Sequence, residues 1–159
     1  MSSPRLRHAV AGDIPVMEAL LASQHLPVYA IAEYLDTFWV LEEQGQLIGC
    51  TGLELYGQSA LLRSVIIQES HRNQRLGERL VRNALEEARR RGVRTVYLFT
   101  MHAAGYFARF GFQRCSLDDF RDEVRQSFQY RGVSSIPELT EKITPMCLEL
   151  ESEPEQASL

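Results

Sequence analysis

Apolar and polar positions along this chain switch repeatedly between a spacing of two and a spacing of three to four, and each switch marks an element. Leu6 to Val10 reads as a short first strand, and Asp13 can cap a helix before Ile14-Pro15. Ile14, Met17, Leu20 and Leu21 have helical spacing, which Pro27 interrupts. A second short helix is expected near Val28 to Leu35. Phe38 to Glu43 and Gln46 to Leu55 read as strands joined by a Gln44-Gly45 turn, a hairpin signal. Tyr56-Gly57-Gln58 then turns the chain into a strand from Ser59 to Ile67.

A helix follows from Gly77 to about Arg91. Leu76, Leu80, Val81, Ala84, Leu85 and Ala88 fall on one side of it, and Gly92 is its natural stop. Thr95 to Thr100 is a β-branched and aromatic strand. Strand, helix and strand at this length predict a parallel crossover. A short helix from Ala104 to Phe110 leads through Gly111-Phe112 into another strand. Asp118 to Gln126 is expected to be helical. The last strand runs from Thr144 to Leu150, with Pro145 pointing to an edge or start position. The element order predicts an α/β fold: a mixed, mostly antiparallel sheet with a central parallel strand pair and helices on both faces. One domain over residues 1–150 is expected, with Glu151 to Leu159 as an acidic, disordered tail.

Composition narrows the partners. The chain has 159 residues, enough to bury a core without staples, with 45% apolar and 24% charged positions. A formal net charge of −4 gives no general case for nucleic-acid binding. No apolar run is long enough to span a bilayer, and the start lacks the apolar segment of a signal peptide. Cys50, Cys115 and Cys147 are odd in number, widely spaced and without metal-ligand pattern. They suit a reducing cytosol and read as buried packing residues. His71 and His102 have no sequence partners that suggest a metal. Arg89-Arg90-Arg91 reads as a solvated basic helix end or as a contact for an adenosine phosphate.

The richest chemistry lies in Arg72-Asn73-Gln74-Arg75-Leu76-Gly77, a polar loop between an apolar strand and an amphipathic helix. Unpaired amides at a helix start, with the positive end of the dipole, favour a phosphate there. The arginines add charge of the right sign for a pyrophosphate.

This loop resembles that of the GNAT superfamily, the acetyl-coenzyme A-dependent N-acetyltransferases. Its pattern is Arg or Gln, two residues, Gly, one residue, then Gly or Ala. Arg72 and Gly77 match the ends, whereas Arg75 stands where the family usually has glycine. Ala103-Ala-Gly-Tyr-Phe-Ala-Arg-Phe-Gly-Phe112 is similar to a second family signature. Gly49 to Gly57, Leu61 to Val65 and the Tyr106-Phe107 pair look like a subgroup, the arsenic-resistance N-acetyltransferases. These are similar in turn to the acetyltransferase domain of amino-acid N-acetyltransferases. Phe128 to Pro137 departs from that subgroup, since its cysteine-containing counterpart is not reproduced.

The resemblance implies acetyl-CoA as cosubstrate, no metal, and a small amine as acceptor. It implies that the strand before the loop bulges, and that backbone groups of Val65, Ile66 and Ile67 pair with the acyl-pantetheine arm. The Val65 amide would bind the thioester carbonyl, where charge develops as the amine attacks. Arg72, Asn73, Gln74, Arg75, Leu76, Gly77 and Glu78 would hold the pyrophosphate. Thr100, Tyr106 and Phe107 are expected to add cofactor contacts. The family's usual base, a glutamate at the start of the strand, is replaced by Leu61. Glu54 on the preceding strand is the nearest alternative, and water is the other. The usual acid, the second aromatic of the pair, is Phe107, so Tyr106 is displaced from that role by about 100° on a helix. Arg63, mid-strand among apolar residues, either bridges to Glu54 or holds a substrate carboxylate. The expected function is an N-acetyltransferase that moves the acetyl group of acetyl-CoA to a small, amino-acid-like primary amine by direct attack in a ternary complex. The alternatives are a cofactor-binding sensor without catalysis and a protein N-terminal or lysine acetyltransferase. The sequence leaves the oligomeric state open, with a homodimer as one option.

Overall fold

The computed structural model describes residues 3–151, so all of the expected tail except Glu151 lies outside it. The described chain is α/β and falls into two compact units. The first takes in the chain up to Glu54 together with Leu62–Glu87; the second takes in Leu55–Leu61 and the chain from Ala88 on.

The first unit opens with β1 (Arg5–His8) and α1 (Ile14–Ser23), then a 3-10 turn at Ala32–Thr37. β2 (Phe38–Glu43) and β3 (Gln46–Tyr56) form the expected hairpin. Its turn works because Gln44 (φ 51°) and Gly45 (φ 79°) both take left-handed conformations, which matches the twist of the paired strands. β1 and β2 are antiparallel, as are β2 and β3, with a bulge between Leu41 and Glu42. Beyond β3 comes β4 (Ser59–Ile67), whose residues from Leu62 on belong to this unit. After a 3-10 turn at Glu69–His71 the chain enters α2 (Leu76–Arg90).

One apolar cluster joins Met17, Leu21, Ile31, Phe38, Val40, Cys50 and Ile66. Another joins Leu41, Ile48, Leu76 and Leu80, which is the buried face expected of α2. Asp13 occupies the position before α1, but its side chain makes no cap bond to that helix. The carboxylate instead accepts from the Val10 amide and from Arg7, at 2.8 Å each. That ion pair outcompetes the cap, because a guanidinium is the stronger donor. The second short helix also differs from expectation: it begins at Ala32 rather than Val28 and is 3-10.

The second unit holds the start of β4, then β5 (Thr95–Thr100), α3 (Ala104–Ala108) and β6 (Gln113–Arg114). β4 and β5 are parallel over Ser59–Leu61 and Thr95–Tyr97, as the crossover pattern predicts. The expected helix from Asp118 to Gln126 is broken. A 3-10 turn at Leu117–Asp119 is separated from α4 (Asp122–Arg125) because Phe120 and Arg121 are extended. Phe120 turns inward to stack on Tyr97 and Phe99. Beyond α4 the chain forms α5 (Phe128–Ser135) and α6 (Pro137–Lys142). β7 (Thr144–Glu149) is not an edge: it pairs antiparallel with both β5 and β6, and Pro145 sits near its start. Cys115 and Cys147 are half-buried, so only Cys50 is the fully buried cysteine expected.

Candidate functional site

The strand before the loop carries a backbone reversal. Ser64, in the middle of β4, has φ 61°, a conformation that costs an L-residue about 1–2 kcal/mol. The reversal stands where the resemblance implies a bulge. It lies just before Val65, Ile66 and Ile67. β4 runs on through these residues after its last residue paired with β5, Leu61. Gly49 lets β3 lie against the bulged segment: a Cβ there would meet the Ile66 carbonyl oxygen at 2.8 Å and Ile67 Cδ1 at 2.7 Å.

The polar loop is built the same way. Asn73 (φ 67°) and Arg75 (φ 61°) are both left-handed. Such reversals expose successive N–H groups in anion-binding turns. Arg75 therefore adopts the backbone that a glycine would take, and pays for it in strain. The first helical bond of α2 runs from the Arg79 amide to the Arg75 carbonyl, so the amides of Leu76, Gly77 and Glu78 have no acceptor within the helix. Arg72, Asn73, Gln74 and Arg75 are exposed. The Glu78 carboxylate is taken by Arg82 at 3.0 Å, which leaves the Glu78 backbone as its contribution to the loop. His71 is not simply solvated. Its Nε2 lies 2.9 Å from Glu43 and its Nδ1 2.9 Å from Ser70, a link that ties the loop's approach to the end of β2.

Glu54 and Arg63 are brought together in the interior. Glu54 is 1% exposed and Arg63 5%, and Arg63 Nη1 donates to Glu54 at 2.8 Å. Arg63 Nε donates to Ser64 Oγ at 3.1 Å, so the same guanidinium braces the bulge. The guanidinium carbon lies 4.1 Å from the ring centre of Tyr29 and 5.4 Å from that of Phe38. Phe38 lies flat on β3 because Gly52 has no side chain; a Cβ there would sit 2.3 Å from the ring. Burial raises the Tyr29 hydroxyl above its ordinary range, and the charge of the Glu54 carboxylate adds to this, against the opposing pull of Arg63. Burial likewise pushes the neighbouring Cys50 thiol up to about 12, against the opposing pull of Arg63.

The remaining expected residues belong to the second unit. The Thr100 hydroxyl accepts from the Ala103 amide at 3.0 Å and so turns the chain into α3. Tyr106 is half-buried, edge-on to Phe107 and Phe110, with Arg109 over its ring at 5.8 Å. Phe107 is buried against Phe112. His102 is exposed. Among the described residues, no group of three or more His, Cys, Asp or Glu is placed to hold a metal, and no helix is long and apolar enough to cross a membrane.

Sequence reasoning missed Tyr29, Phe38, Gly52 and Ser64. Gly52, between Thr51 and Leu53 of a predicted strand, was a usable sign of close packing. Tyr29 gave none, because the segment after a helix carries no period.

Comparison with known proteins gives a consistent outcome. The sequence profile of the acetyltransferase (GNAT) domain matches residues 35–114. An amino-acid acetyltransferase of Neisseria meningitidis is 27% identical over 139 residues, 82% of this chain and 32% of the relative. The chain thus spans about a third of the length of that curated relative. An uncharacterized N-acetyltransferase of Chlorobaculum tepidum is 30% identical over 59% of this chain and 61% of its own. Among solved structures, a Mycobacterium tuberculosis protein in complex with CoA superposes with a TM-score of 0.80 at 22% identity, over 93% of this chain and all of that one. N-acetylglutamate synthase of Neisseria gonorrhoeae, complexed with coenzyme A and N-acetyl-glutamate, gives 0.78 at 22% identity over 95% and 36%. At such identities the superpositions speak to the fold.

Proposed function

This chain belongs to the GNAT acetyltransferase family, and from that premise we propose that it transfers the acetyl group of acetyl-CoA to the primary amine of a small, amino-acid-like acceptor. The observation that carries this reading is the run of reversals Ser64, Asn73 and Arg75, which ends at a helix start whose first amides lack helical acceptors. The names of the amino-acid acetyltransferase relatives support the acceptor class.

The amides of Leu76, Gly77 and Glu78, with the backbone from Arg72 to Arg75, are suited to the pyrophosphate of the cosubstrate. The backbone of Val65, Ile66 and Ile67 is suited to its pantetheine arm. The neutral amine attacks the thioester carbon within a ternary complex. A C–N bond forms, the C–S bond breaks, and the thiolate leaves. Negative charge that develops on the carbonyl oxygen meets the Val65 amide; a fixed donor there is worth about 3 kcal/mol. The proton lost by the ammonium goes to Glu54, directly or through water. The leaving thiolate is stable enough to depart without a proton from Tyr106. Cys50, with its thiol held neutral, is unsuited to a covalent route. In the relatives' usual positions for base and acid stand Leu61 and Phe107, and this favours a second reading, a module that binds the cofactor without turnover.

The test pairs thermal stability with and without acetyl-CoA to a thiol-release screen over amino acids and simple amines. A rise in Tm with release on amino acids is expected. A rise without release on any amine would favour the sensor, and no shift at high cofactor would remove the premise of a phosphate site.

A further inference from the structure

Among the described residues of the first unit, Arg63 is a charged group with a buried donor that lacks an acceptor. Arg63 places Nη1 on Glu54 and Nε on Ser64, but Nη2 is buried with no hydrogen-bond partner. Buried polar atoms are nearly always satisfied, and an unsatisfied charged donor needs an explanation. What lies over this guanidinium is the face of Tyr29, 4.1 Å away. A ring face attracts a cation, but it supplies no lone pair to an N–H.

The segment that carries Tyr29 is held under strain. It follows the end of α1, where the Leu26 amide bonds back to the Leu21 carbonyl. It then passes through Ala30 in the left-handed region (φ 57°) before Ile31 enters the core. Alanine has no local hydrogen bond to offset that conformation. Strain of this kind, beside a buried charge pair with a spare donor, marks a place with a second arrangement.

Glu54 and Arg63 together present a carboxylate and a guanidinium side by side. That is the charge complement of a molecule with an ammonium and a carboxylate a few bonds apart. In the described arrangement neither is reachable, since both side chains are almost wholly covered. We propose that Tyr29 is a removable plug: its ring closes the approach to Arg63, and a carboxylate-bearing amine binds by displacing it. The incoming carboxylate supplies Nη2 with the acceptor it lacks, and the same movement uncovers Glu54 for the ammonium. Tyr29 is thereby a specificity-determining residue. Amines without a carboxylate cannot satisfy the freed guanidinium and do not displace the ring. This inference rests on the reading of Glu54 as the group that meets the amine.

The experiment uses the full chain and a panel of α-amino acids, each beside its α-carboxamide. Binding is measured by calorimetry without acetyl-CoA, and KM and kcat by thiol release. For wild type, acids bind and carboxamides do not. Tyr29→Ala removes the ring that competes, so Kd and KM for the acids fall by about three- to tenfold, in proportion to the closed fraction removed. Tyr29→Phe keeps the ring but loses the hydroxyl that feels the Glu54 charge, and gives a smaller fall. Equal effects on acids and carboxamides, or weaker acid binding by Tyr29→Ala, would overturn the proposal. So would a panel in which no acid binds to either protein. The calorimetric arm separates this from the broader reading. Acid binding that tightens in Tyr29→Ala supports the plug even if no thiol is released, whereas thiol release from acids and carboxamides alike upholds the transferase and removes the plug.

Discussion

Two regions of the first unit carry the candidate chemistry, and they encode it differently. The loop from Arg72 to Glu78 works through its backbone: its side chains from Arg72 to Arg75 are exposed, and its features are dihedral angles and amides without helical acceptors. The pair Glu54–Arg63 works through side chains that are almost wholly buried. A backbone-coded site tolerates an unexpected residue wherever that residue can reach the required φ. A site coded by buried charge tolerates almost none.

The largest test of that contrast is to break the pair. Arg63→Met leaves Glu54 as a buried charge without its guanidinium, and Glu54→Gln does the reverse. Each is expected to cost about 3–5 kcal/mol, the usual result of stranding one buried ion. Replacing both, as Glu54→Leu with Arg63→Met, should restore most of that stability without restoring any activity. Denaturant unfolding of the three variants decides it; single variants within 1 kcal/mol of wild type would mean that water already reaches the pair.

Next come the two glycines of β3. Gly52→Ala drives a Cβ into the Phe38 ring and, through it, towards Arg63. Gly49→Ala drives one into the Ile66 carbonyl of the bulged strand. Each should cost about 1–3 kcal/mol through overpacking. The contrast lies in cofactor binding. Gly49→Ala, which meets backbone, should weaken acetyl-CoA binding by more than its loss of stability explains, whereas Gly52→Ala should leave it near wild type.

This difference also marks what could be read in the sequence. Strands from Phe38 to Thr100 and the helix between them were legible, because their burial imposes strict periods on Val40, Leu80, Ala84 and Val96. The pyrophosphate loop was legible because Arg72 and Gly77 sit at fixed offsets between strand and helix. α5 and α6 were not, although Ser127 and Pro137 open them. Their apolar residues are few, and only Val133 is buried in α5. Arg63 drew attention as a charge in an apolar run. Its partner could be named only as Glu54 or a substrate carboxylate, since cross-strand register decides whether Glu54 lies within reach. Tyr29 was silent, because no local pattern fixes where a segment after a helix will fold back.

A smaller effect sharpens the loop's side of the contrast. Arg75→Gly relieves a left-handed arginine and should stabilise the protein by about 1 kcal/mol, less the entropy that glycine adds to the unfolded chain. If the loop is backbone-coded, acetyl-CoA affinity stays within about threefold of wild type, a difference under 1 kcal/mol. A tenfold loss would show that the guanidinium itself holds the phosphate, and would put the two regions in one class.

The smallest effect probes the seal around the pair. Cys50 shares the buried cluster with Phe38, and its thiol, pushed up to about 12, donates to the Ser64 carbonyl at 3.4 Å. A neutral, enclosed thiol does not react, so at pH 8 Cys50 should be modified by a thiol reagent only as fast as the protein unfolds, with Cys115 and Cys147 reacting ahead of it. The sign of the linkage follows from the same shift. A thiol raised in the folded state contributes its full stability below the unfolded value near 9.0 and loses it as pH rises towards 12. The stability difference between wild type and Cys50→Ala should be flat below pH 9 and shrink above it, by at most about 1.4 kcal/mol per pH unit. Rapid labelling of Cys50 under native conditions, with global unfolding slow, would mean that the cluster opens locally. That opening would reach beyond displacement of the Tyr29 ring, and the buried pair would lose the rigid enclosure on which its contrast with the loop depends.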